Sequence, residues 1–333
     1  MKLPLSVLDL SPIVSGSTAS QALRNTFDLA RLADRLGYTR YWLAEHHNMP
    51  SIASSSPEIM IGQVARETSR IRVGSGGIML PNHAPLKVAE SFRTLEALFP
   101  GRIDLGIGRA PGTDPRTAAA LRGARGIGAE DFPYQLEDLF AFASGRFPEE
   151  HPFRSIAAVP NDVPLPPVWL LGSSGYSARL AAKLGLGFGF AAHFSAHGPV
   201  EAMQAYRTQF VPSEYRSEPH AILTLSVICA ETAERADYLA NTVDLFFVLL
   251  TTGRLTQLPS PEEALAFPYT PAERAQARAR RGMHLIGDPE TVRNRILDLV
   301  AATGADEVMV TSSIHSHAER LRSYDLLAEA FAQ

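Results

Sequence analysis

IRVGSGGIML at residues 71–80 and RIDLGIG at residues 102–108 are two short segments separated by a helical pattern. Both are mainly apolar and contain glycine, and short apolar runs bounded in this way are typical of buried strands. Between them Val88, Phe92, Leu95 and Phe99 recur at spacings of three and four residues, so they share one face of a helix. The order strand, helix, strand predicts two parallel strands joined by a helical crossover.

The same alternation continues along the rest of the chain. One helical pattern, Ala19–Leu36, stops at Gly37, a typical residue for a helix end. The predicted strands are Leu5–Leu10, Arg40–Ala44, Ile71–Leu80, Arg102–Gly108, Val168–Leu171, Gly187–Ala192, Ala221–Ala230 and Glu307–Val310. Eight βα units predict an α/β fold, a closed (β/α)₈ TIM barrel that forms one domain over residues 1–333.

One segment does not fit eight plain units. Residues 251–282, before the last βα unit, contain four prolines and end in an Arg/Ala-rich patch. We interpret this segment as an insertion. It is either a solvated surface element or a mobile lid over the strand ends.

Composition restricts the partners of the chain. Of 333 residues, 45% are hydrophobic and 20% are charged, and the formal net charge is -4. A chain of this charge without a dense Lys/Arg stripe is not expected to bind nucleic acid. No apolar run approaches the roughly 20 residues of a membrane span, and Met1–Asp9 resembles a strand more than a secretory leader. Cys229 is the only cysteine, which excludes an intrachain disulfide, so we expect a cytoplasmic protein.

Glu45-His46-His47 stands at the end of the second predicted strand. In a parallel barrel, catalytic side chains lie at these strand ends. Histidine can hold or release a proton near neutral pH, so the three residues could form an acid–base and binding cluster. The alternative is a pair of histidines satisfied by local hydrogen bonds.

Three further strand ends carry residues suited to binding. Gly74-Ser75-Gly76-Gly77 interrupts the third strand, which indicates either a bulge or a surface that a ligand approaches closely. Arg109 follows the fourth strand, and a guanidinium group fits the oxygens of a phosphate. Ser173-Ser174-Gly175-Tyr176 opens a helix whose first N–H groups could bind an anion. The alternatives are an ordinary tight turn at Arg109 and plain N-capping by serine.

Several functions lack the residues that they require. The glycines after the fourth strand are not spaced as G-x-G-x-x-G, and neither a P-loop nor a nucleophile-elbow sequence occurs. No lysine ends a predicted strand, which removes the nucleophile of a Schiff-base aldolase. A metal-dependent barrel hydrolase remains as an alternative, because several histidines could together bind zinc. They are His46, His47, His193, His315 and His317.

Four motifs follow one another along the chain: LAEHH at residues 43–47, VGSGGIMLP at 73–81, GRIDLGIGR at 101–109 and LIGDPETV at 285–292. In order and spacing they resemble the bacterial-luciferase-like flavin monooxygenases over nearly the whole chain. The resemblance implies a (β/α)₈ barrel that uses reduced FMN as a cosubstrate. It also implies a homodimer and a separate flavin reductase that supplies the cofactor, and some relatives use a deazaflavin instead.

The resemblance also implies roles for particular residues. It makes His46 the catalytic histidine, beside Glu45 and His47, and it makes Arg109 a ligand of the flavin phosphate. Gly76 and Gly77 match a bulge, often a non-prolyl cis peptide, on which the isoalloxazine lies. The phosphate loop matches Ser173, Ser174, Gly175 and Tyr176.

The sequence departs from luciferase itself at two places. Gly108 replaces the reactive cysteine of the light-emitting subunit, and residues 251–282 do not match the luciferase lid. Light emission and a long-chain aldehyde substrate are therefore not expected. Three hypotheses follow: a monooxygenase that uses reduced FMN and molecular oxygen on a small organic substrate, the metal-dependent hydrolase, and a flavin-binding protein without turnover.

Overall fold

A computed structural model describes residues 3–123, 128–195 and 197–332. In this part of the chain, ten strands form one parallel sheet. They are β1 Leu5–Asp9, β2 Arg40–Leu43, β3 Arg72–Ser75, β4 Ile78–Met79, β5 Ile103–Gly108, β6 Val168–Gly172, β7 Gly187–Ala191, β8 Ala221–Cys229, β9 His284–Gly287 and β10 Glu307–Thr311.

The sheet closes on itself because β10 pairs with two strands. Val308 of β10 lies opposite Leu5 of β1 on one side and opposite Leu223 of β8 on the other. The closed ring runs β10, β1, β2, β3, β5, β6, β7 and β8, with β4 and β9 outside this path. The predicted (β/α)₈ barrel is confirmed.

Helices surround the ring, and most of them bury an apolar face against it, whereas the two helices of residues 251–282 pack on a neighbouring helix. They are α1 Ala19–Leu36, α2 Pro57–Glu67, α3 Pro85–Leu98, α4 Pro115–Arg122, α5 Phe132–Ser144, α6 Gly175–Leu184, α7 Pro199–Thr208, α8 Ala233–Thr251, α9 Pro261–Ala266, α10 Pro271–Arg281, α11 Pro289–Thr303 and α12 His317–Ala332. None of the described helices is long and apolar enough to cross a membrane. Helix α1 begins and ends where its sequence pattern predicts, with Gly37 in the left-handed conformation at its end.

The third strand, predicted over Ile71–Leu80 with an interruption at Gly74–Gly77, breaks there into β3 and β4, and the Gly76–Gly77 peptide between them is cis. One strand was missing from the prediction. Strand β9 was not predicted, because it has only four residues, begins with His284 and follows an arginine-rich helix. It pairs with Ser226–Cys229 at the end of β8, where only Ser226 also pairs with β10.

Residues 251–282 contain two ordered helices, α9 and α10. Each helix begins with a reciprocal capping box, Ser260 with Glu263 and Thr270 with Glu273. The segment also contacts the loop after β1, where the Leu258 N–H donates to the Ile13 carbonyl at 2.8 Å. The insertion therefore lies next to the carboxyl ends of the strands, and its role as a lid stays a prediction.

Inside the ring, aromatic and aliphatic side chains separate the two ends of the barrel. Trp42 and Trp169 are fully buried and meet edge to face, with ring centroids 5.6 Å apart. Below them, where the strands begin, Arg40 bonds to Asp104 at 2.8 Å and to Glu307 at 3.1 Å. Above them, the strands end around an open cavity.

Candidate active site

The cavity lies at the carboxyl ends of the barrel strands and has a volume of about 620 Å³. Its floor is apolar and includes Leu8, Trp42, Leu171 and Met309. Among the described residues that line it, Arg109 is the only arginine, and there is no lysine, aspartate or glutamate. A large, mainly apolar cavity with few polar groups is typical of a ligand site, and this end of a barrel is where such sites occur.

His46 lines this cavity, directly beyond the end of β2. Its backbone N–H donates to the Ser54 carbonyl at 2.9 Å, which fixes the loop. The side-chain Nδ1 is buried without a hydrogen-bond partner among the described residues. Burial lowers the pKa of His46 to about 4, although Glu45 opposes this shift. The imidazole is therefore neutral at pH 7 and has a ring nitrogen available to a ligand.

Glu45 is fully buried behind His46 and is not among the residues that line the cavity. Its carboxylate lies 2.9 Å from Nε2 of His47 and 2.9 Å from Nε2 of His83, and it accepts the Met79 N–H at 2.9 Å. Burial alone would raise the pKa of Glu45, but the hydrogen bonds from His83 and His47 lower it overall. The carboxylate therefore stays ionised and connects the loop after β2 with residues 79–83.

His47 and His83 thus bond to Glu45, and neither is among the residues that line the cavity. Burial alone would lower the pKa of His83, but the hydrogen bond and charge of Glu45 raise it overall. In the sequence, His83 is one of several histidines at the ends of strand-like runs, which a barrel could bring together. Its partnership with Glu45 could not be anticipated, because 37 intervening residues separate the two in sequence.

Gly76 and Gly77 form part of the cavity wall between β3 and β4. A Cβ atom on Gly76 would lie 2.5 Å from Leu8 Cδ1, and one on Gly77 would lie 2.7 Å from the Gly106 carbonyl oxygen. A side chain at Gly77 would clash with backbone, and one at Gly76 would displace Leu8, so glycine at both positions leaves the wall here as bare backbone. Such a surface can accept a flat ring in close contact.

Arg109 lies at the end of β5 and lines the cavity. Its guanidinium group stacks on the Tyr176 ring, with 4.3 Å between Cζ and the ring centroid. No carboxylate of the described residues pairs with it, unlike most arginines buried in this barrel. Tyr176 itself is not among the cavity-lining residues, so it holds Arg109 in place from outside.

Ser173 and Ser174 line the same side of the cavity, at the start of α6. Ser174 is the N-cap residue of this helix, yet its side chain does not cap the helix. The serine hydroxyls and the first N–H groups of α6 therefore remain available to an anion, beside Arg109. Gly175 does not line the cavity, whereas Ser177, which directly follows the predicted phosphate loop, does. Ser177 projects from the first turn of the helix, a position that its sequence pattern could have indicated.

His193, just beyond β7, also lines the cavity. Its Nδ1 is buried without a partner in the described part of the chain, and burial with the nearby His46 lowers its pKa to about 3. The sequence singled out this residue only as a zinc ligand.

The other histidines of the zinc alternative lie elsewhere. Nε2 of His315 is 3.0 Å from Ser15 Oγ, and Nε2 of His317 is 3.6 Å from an oxygen of Asp28. Within residues 3–123, 128–195 and 197–332, no three His, Cys, Asp or Glu side chains are grouped to hold a metal ion. The five histidines are therefore not brought together.

The sequence profile of the luciferase-like monooxygenase family matches residues 3–307. A luciferase-like monooxygenase of Escherichia coli K12 is 44% identical over 96% of this chain and 95% of its own length. The chain belongs to the luciferase-like monooxygenase family.

Solved structures agree with this assignment. Apo-MsnO8 superposes with a TM-score of 0.91 at 42% identity, covering 99% of this chain and 98% of that protein. The oxygenating constituent of 3,6-diketocamphane monooxygenase from Pseudomonas putida, solved with FMN, has a TM-score of 0.70. It is 19% identical, covering 100% of this chain and 98% of that one, and shows the fold alone.

Proposed function

We propose that the protein is an FMN-dependent monooxygenase that uses reduced FMN and molecular oxygen on a small organic substrate. The observation that carries the proposal is one cavity with three features: a histidine whose Nδ1 has no partner among the described residues, a bare glycine wall, and an arginine beside an uncapped helix start. When bound, reduced FMN with oxygen would supply the chemistry: one oxygen atom goes to the substrate and the other leaves as water.

The residues present fit such a cofactor. Arg109, with the hydroxyls of Ser173 and Ser174, would hold the phosphate, since charge-assisted hydrogen bonds to an anion are the strongest of their kind. The backbone of Gly76 and Gly77 would lie against the flat ring system, because no side chain intervenes. His46 would face the reacting groups and take up or return a proton at Nδ1, the ring atom that has no partner in the described part of the chain.

Glu45 and His47 act behind the reacting groups in this proposal. Glu45 holds the loops that carry His47, Met79 and His83, and so fixes the position of His46, the residue next to it. Gly175 and Tyr176 support the phosphate side: Gly175 opens α6 and Tyr176 stacks on Arg109.

Partners follow from the same proposal. A reduced cosubstrate must be made elsewhere, so we expect a separate flavin reductase. We also expect a homodimer, as is common in this family, and a cytoplasmic location, because a single cysteine gives no sign of a disulfide-forming compartment.

The proposal is tested by titrating the purified apoprotein with FMN and following flavin fluorescence, together with a metal assay. We expect saturable FMN binding at one site per chain. Zinc in the protein without flavin affinity would support the hydrolase instead. Flavin binding without substrate-dependent oxygen uptake, in the presence of a flavin reductase, would indicate a flavin-binding protein without turnover. If a deazaflavin bound more tightly than FMN, the proposed cofactor would be the deazaflavin instead of FMN.

A further inference from the structure

The cavity has two halves, and the proposed cofactor uses only one of them. Gly76 and Gly77 follow β3, Arg109 follows β5, and Ser173 and Ser174 follow β6, so these residues come from three successive strands of the ring. The opposite half is built by β8, β10 and β1. It contributes Thr224, Met309, Leu8 and Leu10 to the cavity, none of which is charged.

His46 and His193 stand where the two halves meet. His46 follows β2 and His193 follows β7, and these strands are four positions apart in both directions around the ring of eight. The two histidines therefore face each other across the mouth of the barrel. Each has a buried Nδ1 without a hydrogen-bond partner among the described residues. A polar atom left in this state is costly unless a ligand supplies the missing bond.

Thr224 is the second polar residue, besides His193, that a ligand in the uncharged half of the cavity could contact. Its carbonyl accepts the His193 N–H at 3.1 Å, so the two residues are fixed relative to each other. The Thr224 hydroxyl forms no hydrogen bond with a side chain or backbone group of the described residues, and the residue lines the cavity. An imidazole and a hydroxyl therefore form a pair of polar groups in an otherwise apolar surface.

We propose that the half-cavity of β8, β10 and β1 binds the organic substrate as an uncharged, mainly apolar group, with one hydrogen-bond acceptor held by His193 and Thr224. This inference rests on the proposed function, which assigns the other half to the cofactor. A charged group in this half would lose its hydration without gaining an opposite charge, which is unfavourable. A neutral imidazole, which burial favours for His193, can donate to a carbonyl or similar acceptor.

Three compounds of nearly equal shape test the proposal on FMN-loaded protein: acetophenone, α-methylstyrene, in which a methylene replaces the carbonyl oxygen, and benzoate. Binding is measured by calorimetry. We expect acetophenone to bind about 3–10-fold more tightly than α-methylstyrene, the effect of one hydrogen bond. Benzoate should bind at least about tenfold more weakly than acetophenone, because its charge finds no partner.

Variants then test whether His193 and Thr224 cause the preference for acetophenone. In His193→Ala and in Thr224→Val, the preference for acetophenone over α-methylstyrene should fall to less than about twofold, while FMN affinity changes little. His197→Ala removes an exposed histidine from the same loop that does not line the cavity, and it should keep the preference.

Several results would overturn the inference: no preference in the natural protein, a preference that survives both variants, or tightest binding of benzoate. A large loss of FMN affinity in His193→Ala would move this residue to the cofactor half and also overturn it. Failure of the natural protein to bind FMN is a different result, because it contradicts the proposed function. The three compounds can then be compared on the apoprotein, where the same preferences are expected.

Discussion

Buried polar side chains are bonded differently at the two ends of this barrel. Where the strands begin, Asp104 accepts from Arg40 at 2.8 Å, from Arg72 at 2.7 Å and from Trp42 Nε1 at 3.2 Å. Glu307 completes the group by pairing with Arg40. Each of these four charged side chains has an opposite charge beside it. At this end of the barrel, the protein itself therefore supplies the partner of every charge in the group.

Where the strands end, the basic side chains that line the cavity have no such partners among the described residues. Nδ1 of His46 and of His193 are unpaired in the described part of the chain, and Arg109 has an aromatic ring as its neighbour instead of a carboxylate. Leaving such groups unpaired costs stability. The difference indicates that one end of the barrel serves stability and the other is prepared for a ligand, as expected for this fold.

The largest effect is expected on activity, for His46→Ala at the end of the barrel where the strands end. Loss of the proton-transferring group should reduce substrate-dependent oxygen uptake about 10²–10⁴-fold, a typical contribution of general acid–base catalysis. The assay uses a flavin reductase to supply reduced FMN, and flavin binding is measured in parallel. His197→Ala is the control for the loss of a histidine. Unchanged oxygen uptake in His46→Ala would remove His46 from the mechanism.

The next largest effect is expected on the free energy of unfolding, for Asp104→Asn at the end of the barrel where the strands begin. The substitution leaves Arg40 and Arg72 buried with one carboxylate fewer, and breaking a buried ion pair from one side costs about 3–5 kcal/mol. The measurement is the free energy of unfolding in urea. Glu214→Gln is the matched control, since its pair with Arg146 is exposed, with side chains 61% and 74% accessible, and should change stability by less than about 1 kcal/mol. Equal effects of the two substitutions would contradict the contrast drawn between buried and exposed pairs.

Arg109→Ala should weaken FMN binding about 10–100-fold, the range expected for lost hydrogen bonds to a charged phosphate. Stability should change little, because no carboxylate depends on this arginine in the described structure. Fluorescence titration gives the dissociation constant, and the exposed Arg116→Ala serves as control. Riboflavin, which lacks the phosphate, should bind both proteins equally; an unchanged FMN constant would argue against the phosphate assignment.

The smallest effect concerns pH and the Glu45–His83 pair. The raised pKa of His83 gives stability that is complete below its ordinary value of 6.5 and is lost as pH rises through the raised value. The lowered pKa of Glu45 gives stability that is complete above its ordinary value of 4.5 and is lost as pH falls through the lowered value. The pair therefore contributes most between these ordinary values.

His83→Gln should consequently lower Tm most near pH 5.5, by the equivalent of about 1 kcal/mol, and less at pH 8.5. The difference between variant and natural protein is the quantity to follow, because His46 and His193 act in the opposite sense. Their lowered pKa values make both proteins less stable as pH falls from 6.5 towards about 4 and 3. A constant difference in Tm across this range would show that the pair is not ionic.

Much of the fold could be predicted because its signals are local. The spacing of Val88, Phe92 and Leu95 sets a helix face, and short apolar runs mark the strands on either side. The glycines indicated a break at Gly76–Gly77, but two features were not predicted: strand β9 and the separate pairing of β4. The first depends on pairing with the end of β8, and the second on how β4 aligns with Ile107 and Gly108.

The sequence by itself determined a closed parallel barrel and the placement of His46, Gly76, Arg109 and Ser173 at strand ends, because periodicity and chain order specify both. Only the tertiary structure decided which of these residues share a cavity and which are enclosed behind it. Glu45 is next to His46 in sequence but is fully buried, whereas His193 is distant in sequence and faces the same space. Closure of the ring brings together strand ends that are distant in sequence, and no local sequence pattern specifies how far apart their side chains lie in space.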